Sequence, residues 1–225
     1  MYLKQFLHLN RSYSKHLYTG FLGILFRISH ELMEKNYRLF KGEKIKVLEV
    51  GGGKNPHIKY LRHLFNEYHS IDIDDNNELE YFYNQEYPLI KFQKYNGKNI
   101  PFKDNTFERI IISHCLEHIN FPEEFLNELL RVTKKNGIIS IALPTDPGIA
   151  WRIGRFFIKK FLQKKTHKLS DLDYEYVNAI EHVNSIFNLR TIIRKKFNIF
   201  SEIFFPFKIK LVDINLFYIV DIKKI

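Results

Sequence analysis

The apolar positions change their period along the chain, and the changes divide it. Between Leu3 and Ile28 they recur at helical spacing: Leu3, Phe6 and Leu7, then Leu17, Phe21, Leu22, Leu25, Phe26 and Ile28. That stripe predicts a helical N-terminal extension over residues 1–43. From Ile45 onward the pattern is different. Short apolar runs at 45–50, 67–73, 90–94, 107–113 and 137–143 predict five strands. A helix is expected over 57–66 and another over 122–135. Pro122 suits a first helical position, Glu123 and Glu124 complement the positive helix end, and Asn136-Gly137 is a stop. Strand and helix in alternation predict crossover units, hence a parallel sheet with helices on both faces. Residues 144–197 predict two or three helices, the last capped by Asn184 or Ser185. The stretches 201–211 and 215–222 return to strand and predict a terminal antiparallel hairpin turning at Asp213-Ile214-Asn215. The expected organisation is an extension over 1–43 and one domain over 44–225, with 144–197 a helical cap inserted before the last two strands.

Composition narrows the class. The 225 residues are 45% hydrophobic and 27% charged, enough for a sizeable core without disulfide or metal staples. With 10 glycines and 7 prolines, a low-complexity chain is excluded. The single Cys115 has no internal disulfide partner, which favours a reducing compartment. The first residues have no secretory-signal pattern, and no apolar run reaches the roughly 18 residues a membrane span needs. A cytoplasmic location is therefore expected. The net charge of +10 points to an anionic partner, discounted in part because abundant Lys, Asn, Ile, Phe and Tyr together are what a genomic base bias would give. Residues 151–165 hold six Lys or Arg and no acid, with apolar positions at helical spacing. That is a solvated basic cap helix, or a helix attracted to an anionic inner membrane surface or a phosphate-bearing substrate.

The chemistry concentrates at the strand ends. The first strand closes on Glu49 and Val50, and Gly51-Gly52-Gly53 turns the chain toward the next element. Glycines let a backbone approach a ligand closely, and ligands of open α/β sheets bind at the carboxyl ends of the strands. Asp72 ends the second strand, 21 positions after Gly51, where a carboxylate reaches ribose hydroxyls. A nucleoside-containing ligand across strands 1 and 2 is the direct reading. A nicotinamide dinucleotide is disfavoured, because after Gly53 the next glycine is Gly97.

The run Glu49-Val50-Gly51-Gly52-Gly53 resembles the first motif of class I S-adenosylmethionine-dependent methyltransferases, methyltransferase type 11-like. Ser70-Ile71-Asp72-Ile73-Asp74 is similar to the second motif, Ile100 to Glu108 to the stretch before strand 4, Cys115-Leu116-Glu117-His118 to the segment after it, and Val132 to Gly137 to the turn before strand 5. The resemblance covers 45–143 and implies a Rossmann-like, mostly parallel seven-stranded sheet and S-adenosylmethionine as cofactor. It implies that Glu49, Gly51, Gly52, Gly53 and Asn55 (where the family carries a third glycine) face the methionine half, that Asp72 binds ribose, and that Ile73 packs on adenine. Asn96 and Gly97 would then meet the adenine amine, and Ser113 completes the cofactor set.

Methyl transfer to a hydroxyl needs the acceptor in line and a base, and His is the natural base at neutral pH. His114 follows strand 4, and His182 lies in the region expected to cover the acceptor, so these two are the candidate catalytic residues; Asp146 shares their rim. His114, Glu117 and His118 have ligand-type side chains but read as hydrogen-bonded loop anchors, and no metal is expected. The expected acceptor is a small-molecule, lipid-linked or nucleotide-linked hydroxyl, with a glycan sugar one form. An RNA methyltransferase is the alternative that the charge suggests. Nucleic acid is the weaker partner, since an N-P-P-Y motif and a Pro before Cys115 are both missing. A silent cofactor-binding scaffold is the third reading. The sequence leaves oligomeric state open.

Overall fold

The computed structural model describes residues 20–40, 42, 44–73, 77–166 and 171–225. The first part of the predicted extension, with Leu3, Phe6, Leu7 and Leu17, lies outside them, as does Asp74. Seven strands form one sheet in the order β3-β2-β1-β4-β5-β7-β6. They are β1 (Ile45–Val50), β2 (Phe65–Asp72), β3 (Ile90–Lys94), β4 (Phe107–Ser113), β5 (Thr133–Pro144), β6 (Ile199–Phe205) and β7 (Phe217–Lys223). β1 to β5 pair in parallel, and β7 runs antiparallel to both its neighbours. The predicted Rossmann-like sheet with its terminal hairpin is therefore present.

Six α-helices accompany the sheet among the described residues: α1 (Gly20–Met33), α2 (Glu78–Glu86), α3 (Pro122–Val132), α4 (Ile149–Thr166), α5 (Asp171–Glu181) and α6 (Ile186–Lys196). The last three fill the predicted cap, and Ser185 caps α6 by accepting from the Asn188 amide at 3.2 Å. One face of the sheet is closed by α3 and α6, where Phe125, Leu126, Leu129, Ile186, Leu189 and Ile193 pack on Ile110, Ile112 and Ile139. Each such side chain stabilises the fold by roughly 1.5–3 kcal/mol.

The opposite face corrects the sequence reading. The helix expected over His57–Asn66 is only a 3₁₀ turn, His57–Tyr60, and β2 begins already at Phe65. The space that a crossover helix would fill is occupied by α1, whose Phe26 and Met33 join Val47, Ile111 and Phe217 in the core. Buried charge fixes α1 there. Glu34 Oε1 lies 2.7 Å from Arg109 Nη2 on β4 and 2.8 Å from His57 Nε2, and Glu34 Oε2 accepts from the Arg62 amide at 3.0 Å. Burial raises the Glu34 pKa, but the bonds from His57 and Arg109 outweigh it and hold the carboxyl at about 2.

Two further boundaries move. α3 stops at Val132 instead of Lys135, and Thr133 opens β5, its hydroxyl donating to Leu129 O at 2.6 Å. Asn136 still adopts a left-handed φ of 65°, but within the strand and not as a helix stop. β6 ends at Phe205 because Pro206 has no N–H to donate. The hairpin connection is therefore longer than a turn at 213–215. Buried Asn215 organises it, accepting from Phe207 N and donating to Ile209 O and Leu211 O.

Candidate active site

The carboxyl ends of β1, β2 and β4 open onto a cavity of about 890 Å³ that reaches the cap helices. Gly51 forms its floor at one end. Its φ is +74°, and a Cβ there would lie 2.5 Å from Cys115 Sγ, so the backbone runs closer to the next loop than any side chain permits. Asp72 lines the cavity while its Oδ2 accepts from the Gly53 amide at 3.0 Å, which ties the glycine loop to β2. Ile73, 63% exposed, offers a free apolar face beside it. Gly97, with φ +74°, and Asn96 complete this end. The result is a glycine cradle, a carboxylate and an apolar platform in a row. These features fit an adenosyl sulfonium ligand: ribose hydroxyls to Asp72, adenine against Ile73, and the chain of the ligand over Gly51.

Other expected cofactor residues fall elsewhere. Glu49 does not face the cavity. It is 1% exposed, and its oxygens accept from the His57 amide at 2.7 Å and the Tyr68 hydroxyl at 2.8 Å. Burial pushes its carboxyl up to about 7. Its role is to brace the loop, because Gly52 leaves no room beside it: a Cβ there would meet the Glu49 carboxyl at 2.8 Å. Asn55 turns its side chain to Lys59, which donates to Asn55 Oδ1 at 2.6 Å. Asn96 Oδ1 already accepts from the Lys98 and Asn99 amides, both at 3.0 Å, so the acceptor expected for an adenine amine is spent on the loop. Gly53 and Ser113 adjoin the cavity without lining it.

The other end is built from side chains. His114, at the end of β4 with φ 52°, sits between Phe26 and Phe217. Ser29 on α1 donates to Phe26 O at 2.7 Å, so its oxygen accepts from His114 Nε2 at 2.9 Å. His114 Nδ1 is thus the lone-pair nitrogen, buried and without a protein partner among the described residues. Burial pushes this imidazole down to about 3. At neutral pH the ring is therefore the neutral imidazole, with its one N–H on Ser29 and Nδ1 as acceptor.

His182 is differently placed. Its Nδ1 lies 2.7 Å from Asp146 Oδ2, and Arg155 pairs with the same carboxylate. The carboxylate accepts from Nδ1–H, which leaves Nε2 as the lone-pair nitrogen, while burial lowers the imidazole pKa. His118 Nδ1 donates to Glu181 O at 2.6 Å, and the two imidazoles meet edge to face at 5.0 Å. Glu117, 3% exposed, lines the cavity beside them, its carboxyl pushed up by burial. Ser29 and Arg155 were missed as site residues in sequence, and Phe26 was read only as part of the apolar stripe; the signal for Ser29 was a polar Ser29-His30 pair interrupting that stripe.

Comparison with known proteins points to the same fold. Residues 48–141 match the family described as a methyltransferase domain. An uncharacterized protein of Methanocaldococcus jannaschii is 32% identical over 97 residues, 42% of this chain and 43% of that one. The demethylmenaquinone methyltransferase of Streptomyces griseus is 34% identical over 80 residues, 36% of this chain and 34% of that one. The chain thus spans less than half the length of these curated relatives. Among solved structures, an S-adenosylmethionine-dependent methyltransferase of Aquifex aeolicus superposes with a TM-score of 0.57 at 18% identity, covering 88% of this chain and 93% of that one. The [4+2]-cyclase SpnF does so with a TM-score of 0.62 at 13% identity, covering 92% and 83%. The second likeness shows that the fold alone does not dictate the reaction. Residues 48–141 thus match a methyltransferase domain, and the sheet as a whole has the fold of the solved S-adenosylmethionine-dependent methyltransferase.

Proposed function

We propose that this chain transfers a methyl group to the hydroxyl of a small-molecule or lipid-linked acceptor seated between His114 and His182. The observation that carries the reading is continuity: one cavity joins the Gly51–Asp72 cradle to a cluster of imidazoles. S-adenosylmethionine supplies a methyl group on a positively charged sulfur. His114 Nδ1 accepts a hydrogen bond from the acceptor and orients it, and His182 Nε2, aligned by Asp146, takes the hydroxyl proton. The acceptor oxygen forms its C–O bond as the C–S bond breaks, with the electron pair left on sulfur. Phe26 and Trp151 line the same cavity and exclude water from it.

The relatives named for demethylmenaquinone support a small-molecule acceptor over a nucleic acid. The lipid-linked form is favoured by α4. Ile149, Ile153, Phe156 and Phe157 are each more than half exposed there, beside exposed Arg152 and Lys160. An apolar, basic strip suits an anionic membrane surface, and none of the described helices is long and apolar enough to cross one. The test is calorimetric titration with S-adenosylmethionine, followed by transfer of labelled methyl to hydroxyl acceptors, free and in vesicles. Micromolar binding with label in a hydroxyl acceptor supports the reading. Binding with label only in RNA, or no label in any acceptor, overturns it.

A further inference from the structure

Glu117, His118 and His182 come from two segments more than 60 positions apart, yet each brings a ligand-type atom to one point, all within 4.8 Å of one another. Three details go beyond proximity. First, both imidazoles are held in the same tautomer. His118 Nδ1 donates to a backbone carbonyl and His182 Nδ1 to the Asp146 carboxylate. Each Nε2 is left as a lone pair, and a second acceptor behind the ring is the usual arrangement around a metal-bound histidine. Second, Glu117 Oε2 is buried and has no hydrogen-bond partner among the described residues. An uncompensated carboxylate oxygen in such a place is costly. Arg155, which lines the same cavity, is already paired with Asp146. Third, the cluster opens onto the cavity that the acceptor enters, so a bound ion keeps coordination positions for exogenous oxygen.

We infer that Glu117, His118 and His182 form a site for a divalent transition-metal ion, with zinc the best match to two imidazole nitrogens and one carboxylate. His114 is not part of it, because its Nε2 is spent on Ser29. The inference contradicts the metal-free expectation from sequence, where Glu117 and His118 were in view but His182 was not placed beside them. Its chemical meaning rests on the methyl-transfer reading. With an ion bound, His182 Nε2 would be a ligand, and the ion instead of the free imidazole would acidify an acceptor hydroxyl. The bond changes of methyl transfer would be the same as above. An acceptor with two adjacent oxygens, such as a diol, would fill both open positions.

The test is zinc titration of the untagged, chelator-stripped full chain against a chromophoric chelator, with cobalt(II) absorption as a second readout. The expected result is one ion per chain. Substitution Glu117→Gln or His118→Ala should weaken it by about 100-fold or more, and Asp146→Asn by roughly 10–100-fold, the range for partners behind a ligand. Each variant is checked for unchanged S-adenosylmethionine binding, which establishes that it folds. Absence of zinc and cobalt binding in a chain that binds S-adenosylmethionine overturns the metal site and leaves the methyl-transfer reading standing. Binding that persists in both Glu117→Gln and His118→Ala places the ion elsewhere and also overturns it. Zinc bound through these residues in a chain that transfers no methyl supports the site and removes only the transfer reading.

Discussion

The two ends of the cavity are made of different material. The cofactor end is mostly backbone: Gly51 and Gly97 at positive φ, and a carboxylate that fastens the glycine loop. The acceptor end is almost all side chain, drawn from α1, the loop after β4, the end of β5 and the end of α5. Backbone cradles tolerate little variation, because a single Cβ obstructs them. Side-chain clusters can be exchanged one residue at a time while the sheet stays intact. A shared fold can therefore hold one cofactor and serve different acceptors.

The sharpest way to separate the ends is His182→Ala. Removing it should reduce methyl transfer by about 10²–10⁴-fold and leave S-adenosylmethionine affinity within about twofold, measured by calorimetry and single-turnover label transfer. If both fall together, the ends are not separable. Asp72→Ala should do the reverse. Losing charge-assisted bonds of roughly 1.5–3 kcal/mol weakens the cofactor by about 10–100-fold, and a calorimetric Kd equal to wild type would remove Asp72 from the site.

The loop brace gives a pH signature. The Glu49 carboxyl sits at about 7 in the fold against an ordinary 4.5. The folded state therefore binds more protons than the unfolded state between these values, and the Glu49 contribution to stability falls as pH rises from 4.5 to 7. Glu49→Gln should lose that slope, a difference of up to about 3 kcal/mol at 1.36 kcal/mol per pKa unit. Denaturant unfolding at pH 5 and pH 8 measures it, and parallel curves for variant and wild type would refute it. The smallest effect is expected on α4. Phe156→Ser with Phe157→Ser should change unfolding free energy by no more than about 0.5 kcal/mol per site, yet reduce co-sedimentation with anionic vesicles at low salt. Undiminished vesicle binding would remove the strip from the acceptor argument.

Legibility follows the same division. The cofactor end was readable because its parts are local: a strand, three glycines, and a carboxylate one strand later. Glu49 was misplaced because sequence shows which strand end it occupies, not that the Tyr68 hydroxyl and His57 amide turn it inward. The acceptor end was readable only as isolated histidines. His182 meets Asp146 across 36 positions and His118 meets Glu181 across 63, and those meetings depend on how the cap folds back. The false helix over 57–66 had a similar cause. Leu61, Leu64 and Phe65 fit a helical pattern, but the space was already taken by α1, which no local pattern reveals. A clue was available in Arg109, a charge in the middle of an apolar strand, which requires a buried acid from elsewhere.

The substitution of α1 for a crossover helix has a consequence for the order of events at the ribosome. Asn36, just after α1, donates to Asp221 on β7, 185 positions later, at 2.7 Å. At roughly 5–20 residues per second, α1 emerges about 10–40 s before its final partner strand exists. For that interval α1 can meet β1 and β4, which supply Val47, Ile111 and Arg109, but not β7, which supplies Phe217 and Asp221. The nascent chain thus carries α1 without its β7 contacts until Phe217 is made, and the cavity wall that includes Phe26 is completed only when β7 docks.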